Sequence, residues 1–124
     1  MHRSRLLRGA LWASVGLNGL GVAIFAPLAF GRPSPFVPVD VSPFFAAQVG
    51  FTIALFGGVY AWMARQRVVP APLLVVGGLG KLGFFALTLA YAIAGQLPAQ
   101  MAISALPDLA FALVFLAAAR APQD

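Results

Sequence analysis

The chain alternates between long apolar runs and short breaks rich in proline, glycine and arginine. A helix that spans a membrane needs about 20 mostly apolar residues, and four runs are long enough. Their predicted bounds are residues 9–30, 43–64, 72–94 and 98–119. We therefore predict an all-α fold, a four-transmembrane-helix bundle that forms a single integral membrane domain over residues 1–124.

The breaks between these runs carry residues that end or begin helices. Prolines follow one another between the first two runs, Arg65 and Arg67 precede the third run, and a Gly-Gln-Leu-Pro turn precedes the fourth. Pro43, Pro72 and Pro98 each lie where a helix is predicted to begin, a position that tolerates proline. The breaks therefore support the same four segments.

The composition agrees with a membrane protein. Hydrophobic residues make up 61% of the chain and charged residues 9%, whereas a soluble domain is about 25% charged. The mean hydropathy is +0.93. Too few polar side chains are present to cover a water-facing surface, which excludes an ordinary soluble domain and a disordered chain.

The basic residues indicate an orientation rather than a nucleic-acid partner. The net charge is +5, but the arginines lie at the ends of the predicted spans, where they act as topology signals. The opposite side has only Arg32, offset by Asp40. We predict that both termini are cytoplasmic and that the lipid bilayer, not nucleic acid, is the surrounding partner. The arginines on the predicted cytoplasmic side are Arg3, Arg5, Arg8, Arg65, Arg67 and Arg120.

A cleaved signal peptide is the competing interpretation of the first run. The basic tail and the sequence Ala-Pro-Leu-Ala at residues 26–29 resemble its parts. The apolar run extends for about 22 residues, however, and a signal peptide usually has 7–15. We therefore favour a retained first span.

The side chains that are absent exclude several chemistries. The chain has no cysteine, its one histidine is His2, and its acidic residues are Asp40, Asp108 and Asp124. Disulfides, thiolate nucleophiles, iron–sulfur clusters and haem held by two histidines are therefore excluded within one chain. We predict no cofactor and no metal site.

Two charged residues lie inside predicted spans. A charge at the bilayer centre costs about 2.5–3.5 kcal/mol on insertion scales. Lys81 and Asp108 lie roughly 14 and 15 Å from the ends of their spans at 1.5 Å per residue, so both are near the midplane. Opposite charges at equal depth on consecutive antiparallel helices are expected to pair.

Further polar residues recur at helical spacing at this depth. Asn18 and Thr52 lie near the middle of the first two spans, and Ser14, Gln48 and Ser104 stand four residues before Asn18, Thr52 and Asp108. Since residues four apart share a helix face, we predict an inward-facing polar seam. The candidate ligand- or ion-binding residues are Asn18, Gln48, Thr52, Lys81, Ser104 and Asp108.

Three functions remain open. In the first, the midplane residues bind or pass a small solute or a proton. Asp108 accepts the proton or cation, Lys81 adjusts how readily Asp108 accepts it, and Asn18 orients the ligand. Pro107 and the glycines near Lys81 favour accessible backbone there. In the second, the chain is an accessory subunit of a membrane complex and the pair is purely structural. In the third, the chain is an enzyme acting on lipid or quinone, which one Lys–Asp pair equips poorly.

Association with another chain is a separate prediction. Four helices of this length enclose little volume, so a transport path would need a homodimer. The accessory-subunit hypothesis instead gives an apolar face, along Gly50, Ala54 and Gly58, to a membrane-complex partner. Close helix packing within one chain is the simplest role for these small residues.

The two halves of the sequence show a weak internal similarity. Residues 16–21 resemble residues 78–83, and residues 42–65 line up with 97–120 so that Phe56 falls on Phe111. A duplicated helical hairpin is one interpretation. Chance similarity between helices rich in glycine, leucine and alanine is the other.

The sequence from Gly80 to Phe85, the Gly-Gln-Leu-Pro turn and the run from Asp108 to Phe115 resemble small bacterial four-helix membrane proteins of uncharacterised function, broadly DoxX-like in size and layout. The resemblance implies four helices in the bacterial inner membrane. It carries over no activity and no site residue.

Overall fold

The computed structural model describes residues 2–121, and every regular element in that range is helical. The prediction of an all-α fold is therefore confirmed for the described chain. In chain order the helices are α1 (His2–Ala29), α2 (Pro43–Arg65), α3 (Ala71–Ile93), α4 (Ala99–Ser104) and α5 (Leu106–Arg120).

Four helical segments are long and apolar enough to cross a membrane. They are α1 from Ser4, α2, α3, and α4 together with α5, which confirms the four predicted segments to within a few residues at most ends. Only 17–28% of each apolar window is buried. Most of the apolar surface therefore faces outward, which indicates a multi-pass membrane protein.

The chain divides into two compact units. One comprises residues 11–65, which are most of α1, the following loop and α2. The other comprises residues 66 onward together with the start of α1, and it contains α3, α4 and α5. Each unit has a helical hairpin at its centre, and the two hairpins are described separately below.

The first helix of each hairpin ends in the same glycine motif. Gly31 follows α1 with φ 73° and Gly95 follows α3 with φ 78°, a conformation that other residues avoid. The amide after each glycine donates to the carbonyl five residues earlier, at 2.8 and 2.9 Å. These bonds are those of a Schellman motif, and they stop both helices sharply.

Prolines begin the later helices, as predicted. Pro43 is the first residue of α2, Pro72 lies in the first turn of α3, and Pro98 is the N-cap of α4. The missing amide hydrogen costs nothing there, because the first amides of a helix have no partner within the helix.

The fourth span is interrupted in its first third. Helix α4 ends at Ser104 and α5 begins at Leu106. The Ala105 amide donates to the carbonyls of Met101 and Ala102, and the Asp108 amide to the carbonyl of Ala105 at 3.0 Å. Pro107 has no amide hydrogen to continue the regular ladder. The predicted interruption at Pro107 is therefore present.

Glycines set the spacing of helices within each hairpin. A Cβ on Gly78 would lie 2.7 Å from Leu116 Cγ and 3.4 Å from the carbonyl oxygen of Ala112. A Cβ on Gly57 would lie 3.2 Å from Asn18 Cβ. Only a residue without a side chain lets α3 approach α5, or α2 approach α1, this closely at these two points.

Candidate functional site

The predicted ion pair forms between α3 and α5. Lys81 Nζ lies 2.9 Å from Asp108 Oδ1, which makes the contact both a salt bridge and a hydrogen bond. The Lys81 side chain is 5% exposed and that of Asp108 is 16% exposed. The expectation that equal depth brings the two charges together is confirmed.

The two helices position the pair differently. Lys81 lies near the middle of α3, on the face that also buries Leu74 and Gly78. Asp108 lies in the first turn of α5, immediately after the break. A carboxylate in the first turn of a helix is stabilised by the positive end of the helix dipole. The break therefore places the Asp108 carboxyl group at the N-terminal end of α5.

An aromatic ring also lies close to the ammonium group. Lys81 Nζ lies 5.6 Å from the centroid of the Phe111 ring, within the range of a cation–π contact. We did not assign Phe111 to the site from sequence. Its signal is the spacing, because Phe111 follows Asp108 by three residues and so shares its helix face.

The Asp108 carboxylate is only partly satisfied. Its Oδ1 atom accepts from Lys81, and its Oδ2 atom has no hydrogen-bond donor among the described residues. An ionised carboxylate has room for about four hydrogen bonds. The site thus combines a buried ammonium group with a carboxylate oxygen that is still open to a proton, a water molecule or a donor group of a ligand.

Asn18 makes a neutral contact in the first hairpin. Its Nδ2 donates to the carbonyl oxygen of Ile53 at 2.9 Å, and the residue is 9% exposed. The prediction that Asn18 is buried is confirmed. Sequence reasoning did not identify the Ile53 carbonyl, since a backbone acceptor leaves no mark in a residue pattern.

Three predicted members of the polar seam do not point inward. Gln48, Thr52 and Ser104 are exposed. The Thr52 hydroxyl donates to the Gln48 carbonyl at 2.9 Å, and the Ser104 hydroxyl donates to the Gln100 carbonyl at 2.8 Å. A hydroxyl satisfied by its own helix backbone can face an apolar medium. The inward-facing seam is therefore wrong for these three residues.

Two further polar residues of the spans, Ser14 and Thr88, are buried. Ser14 is fully buried, and its hydroxyl has no partner among the described residues. Thr88 is 8% exposed and donates to the Phe84 carbonyl at 2.8 Å. No three His, Cys, Asp or Glu side chains between residues 2 and 121 come together as metal ligands.

Comparison with protein-family models, with curated proteins and with solved structures gives no match. The resemblance to DoxX-like proteins therefore stays a prediction, carried by the motifs quoted above. The functional conclusion rests on the geometry of the Lys81–Asp108 pair.

Proposed function

We propose that this chain is a small multi-pass protein of the bacterial inner membrane that binds a small polar solute or a proton at the Lys81–Asp108 pair. The open Oδ2 atom of Asp108 carries this proposal. A pair that served only to join two helices would gain most from a carboxylate with both oxygens satisfied within the protein.

The two charges of the pair are costly inside a membrane, which favours a functional role for them. Each charge near the midplane costs about 2.5–3.5 kcal/mol on insertion scales, while small residues and neutral hydrogen bonds hold membrane helices together without that cost. The Asn18–Ile53 contact is such a neutral bond in the other hairpin. A charged pair with one unsatisfied oxygen is explained more simply by binding than by packing.

The broken fourth span adds a second argument. Discontinuous helices whose ends meet near the bilayer midplane form the binding sites of many membrane transporters, because the ends expose backbone groups and a dipole. Asp108 lies just after such a break, at the start of α5. The break therefore places a charged side chain and a helix terminus at the same depth.

A hydrophobic carbodiimide tests whether Asp108 takes up a proton, since this reagent adds to protonated carboxyl groups. We expect modification of Asp108 in reconstituted protein, detected by peptide mass spectrometry, with a rate that rises as the pH falls. Replacing Lys81 with methionine removes the side chain that contacts Asp108 Oδ1 and leaves the carboxyl group more open, so Lys81→Met is expected to react faster.

Two variants control this experiment. Asp108→Asn is expected to show no modification at residue 108. Leu113 lies in the same span and is 58% exposed. Leu113→Asp therefore shows whether the reagent reaches this depth. Modification of Leu113→Asp without modification of Asp108 at any pH would overturn the proton-binding form of the proposal.

The alternative function is that of an accessory subunit in a membrane complex. It is favoured by the short contact of the pair, by the 5% exposure of Lys81, and by the exposed small residues Ala54 and Gly58 on α2.

A cysteine at residue 58 tests this alternative, since the chain has no cysteine of its own. Disulfide cross-linking of Gly58→Cys to a second copy would indicate a homodimer along this face, whereas protection of the thiol in native membranes but not in purified protein would indicate a different partner.

We further propose that the two hairpins are duplicated copies and that both termini are cytoplasmic. The second helix of each hairpin carries an aromatic pair at matching positions, Phe56–Tyr60 and Phe111–Phe115, with ring centroids 6.2 and 6.3 Å apart.

A further inference from the structure

The loop between α1 and α2 forms a groove of about 340 Å³, separate from the Lys81–Asp108 pair. Its walls include two side chains of opposite charge, Arg32 and Asp40. Both are exposed, and they form no ion pair or hydrogen bond through their side chains with any described residue. The groove therefore offers a separated positive and negative group to whatever occupies it.

A buried hydroxyl group lies in the wall of the same groove. Ser34 is 7% exposed, and its Oγ atom has no hydrogen-bond partner among the described residues. A buried polar group without a partner costs about 1–3 kcal/mol, so it is normally satisfied by water or by a ligand. The Ser34 hydroxyl is thus an unsatisfied polar group behind the wall of the groove rather than on its surface.

A small buried apolar cluster supports the loop that forms the groove. Leu28, Val37 and Ala46 form a small buried apolar cluster that joins the end of α1, the loop and the start of α2. The Val37 amide donates to the Ser34 carbonyl at 3.2 Å, which closes a turn around the buried serine. The proline-rich loop is therefore a built structure rather than a loose crossing.

The surroundings of the groove place it at the membrane surface. Phe30 and Phe36 in the loop are 82% and 69% exposed, and Phe44 and Phe45 at the start of α2 are 65% and 61% exposed. A loop that directly follows a spanning helix emerges in the headgroup region of the bilayer. Because the loop connects two candidate spans, we expect its charged groove to lie at the depth of the headgroups.

We propose that this groove binds the headgroup of a zwitterionic phospholipid that carries a primary ammonium, namely phosphoethanolamine. Arg32 pairs with the phosphate, and Asp40 accepts hydrogen bonds from the ammonium. Charge-assisted hydrogen bonds of this kind are the strong ones. A quaternary ammonium has no hydrogen to donate to Asp40, and phosphatidylglycerol has no cation for it.

Native mass spectrometry of the purified full chain tests this proposal. Protein in detergent is mixed with phosphatidylethanolamine, phosphatidylcholine or phosphatidylglycerol, and the bound lipid is counted. We expect preferential retention of phosphatidylethanolamine. Loss of a hydrogen bond to a charged group lowers affinity by about tenfold or more, so Asp40→Asn is expected to reduce this retention by that factor and to remove the preference over phosphatidylcholine.

Matched variants separate the groove from general attraction to lipid. Arg32→Gln is expected to weaken binding of all three lipids. Arg65 lies in the last turn of α2 and outside the groove, so Arg65→Gln is expected to leave lipid binding unchanged. Equal retention of the three lipids, or an unchanged preference in Asp40→Asn, would overturn the proposal. Binding of soluble glycerophosphoethanolamine as tight as that of the lipid would overturn the assignment to a membrane lipid.

Discussion

At the scale of single residues, hydrogen-bonding chemistry decides which polar side chains turn inward. Lys81 and Asp108 cannot be satisfied by their own helices, so their equal depth was enough to predict that they pair. Thr52 and Ser104 donate to carbonyls in the preceding turn, so their helical spacing did not determine whether they face inward or outward. Sequence reasoning therefore identified the charged pair and the burial of Ser14, and misplaced the hydroxyl groups of Thr52 and Ser104.

The charged pair gives a prediction for stability. Removing one member of a buried ion pair costs about 3–5 kcal/mol, whereas replacing both by apolar residues is often neutral. We expect Lys81→Met and Asp108→Leu each to lower the free energy of unfolding by about 3 kcal/mol. The double variant is expected to lie close to the unmodified protein when unfolding in mixed detergent micelles is measured.

Ser104→Ala serves as the control for these variants, since its hydroxyl bonds only within α4, and we expect no measurable change. A double variant as unstable as the single ones would contradict the assignment of the cost to unpaired charge. The result bears on stability alone, because the double variant would lack the proposed binding site whatever its stability.

At the scale of helices, the length of the apolar runs and the positions of proline were sufficient to predict the elements. Bilayer thickness fixes the length of a span, and proline fixes where a helix begins or breaks. The approach of α3 to α5 at Gly78 was not predicted in detail, because a glycine in an apolar helix does not reveal which neighbour it admits.

Two glycines of α3 provide a matched test of this packing. A Cβ on Gly78 would lie 2.7 Å from Leu116, whereas a Cβ on Gly83 would meet no atom within 4 Å. Overpacking typically costs about 1–3 kcal/mol, so we expect Gly78→Ala to lower the thermal stability of the protein in detergent. Gly83→Ala is expected to be neutral or stabilising, and equal losses in the two variants would show that α3 does not pack as described.

The glycine after α3 provides a second prediction for the elements. Gly95 has φ 78°, where a Cβ costs roughly 1–2 kcal/mol. We expect Gly95→Ala to destabilise the protein by about 1 kcal/mol and Gly95→Asn by less, because asparagine tolerates this conformation better. Chemical denaturation of both variants measures the difference, and a stabilising Gly95→Ala would be inconsistent with the observed turn.

At the scale of the whole molecule, the distribution of charge predicts the orientation. The exposed surface of the spans is apolar, so the molecule has few features besides its arginines that distinguish the two sides of a membrane. The groove beside Ser34 could not be predicted, since it depends on the path of a loop whose prolines indicate only that no helix continues there.

Cysteine labelling tests the orientation directly, because the chain has no cysteine. Phe36 in the first loop and Val68 in the second loop are 69% and 65% exposed. In intact cells we expect a membrane-impermeant maleimide to label Phe36→Cys, and to label Val68→Cys only after the cells are opened. The reverse pattern would place the termini outside.

The distance along the chain between Lys81 and Asp108 has a consequence for synthesis of the protein. Asp108 is made 27 residues after Lys81, which at 5–20 residues per second takes about 1–5 s. Throughout that interval the Lys81 ammonium lacks the carboxylate that it contacts in the folded protein. We therefore expect the insertion machinery to hold α3 in a polar environment until α5 emerges, so that the second hairpin enters the bilayer as one unit.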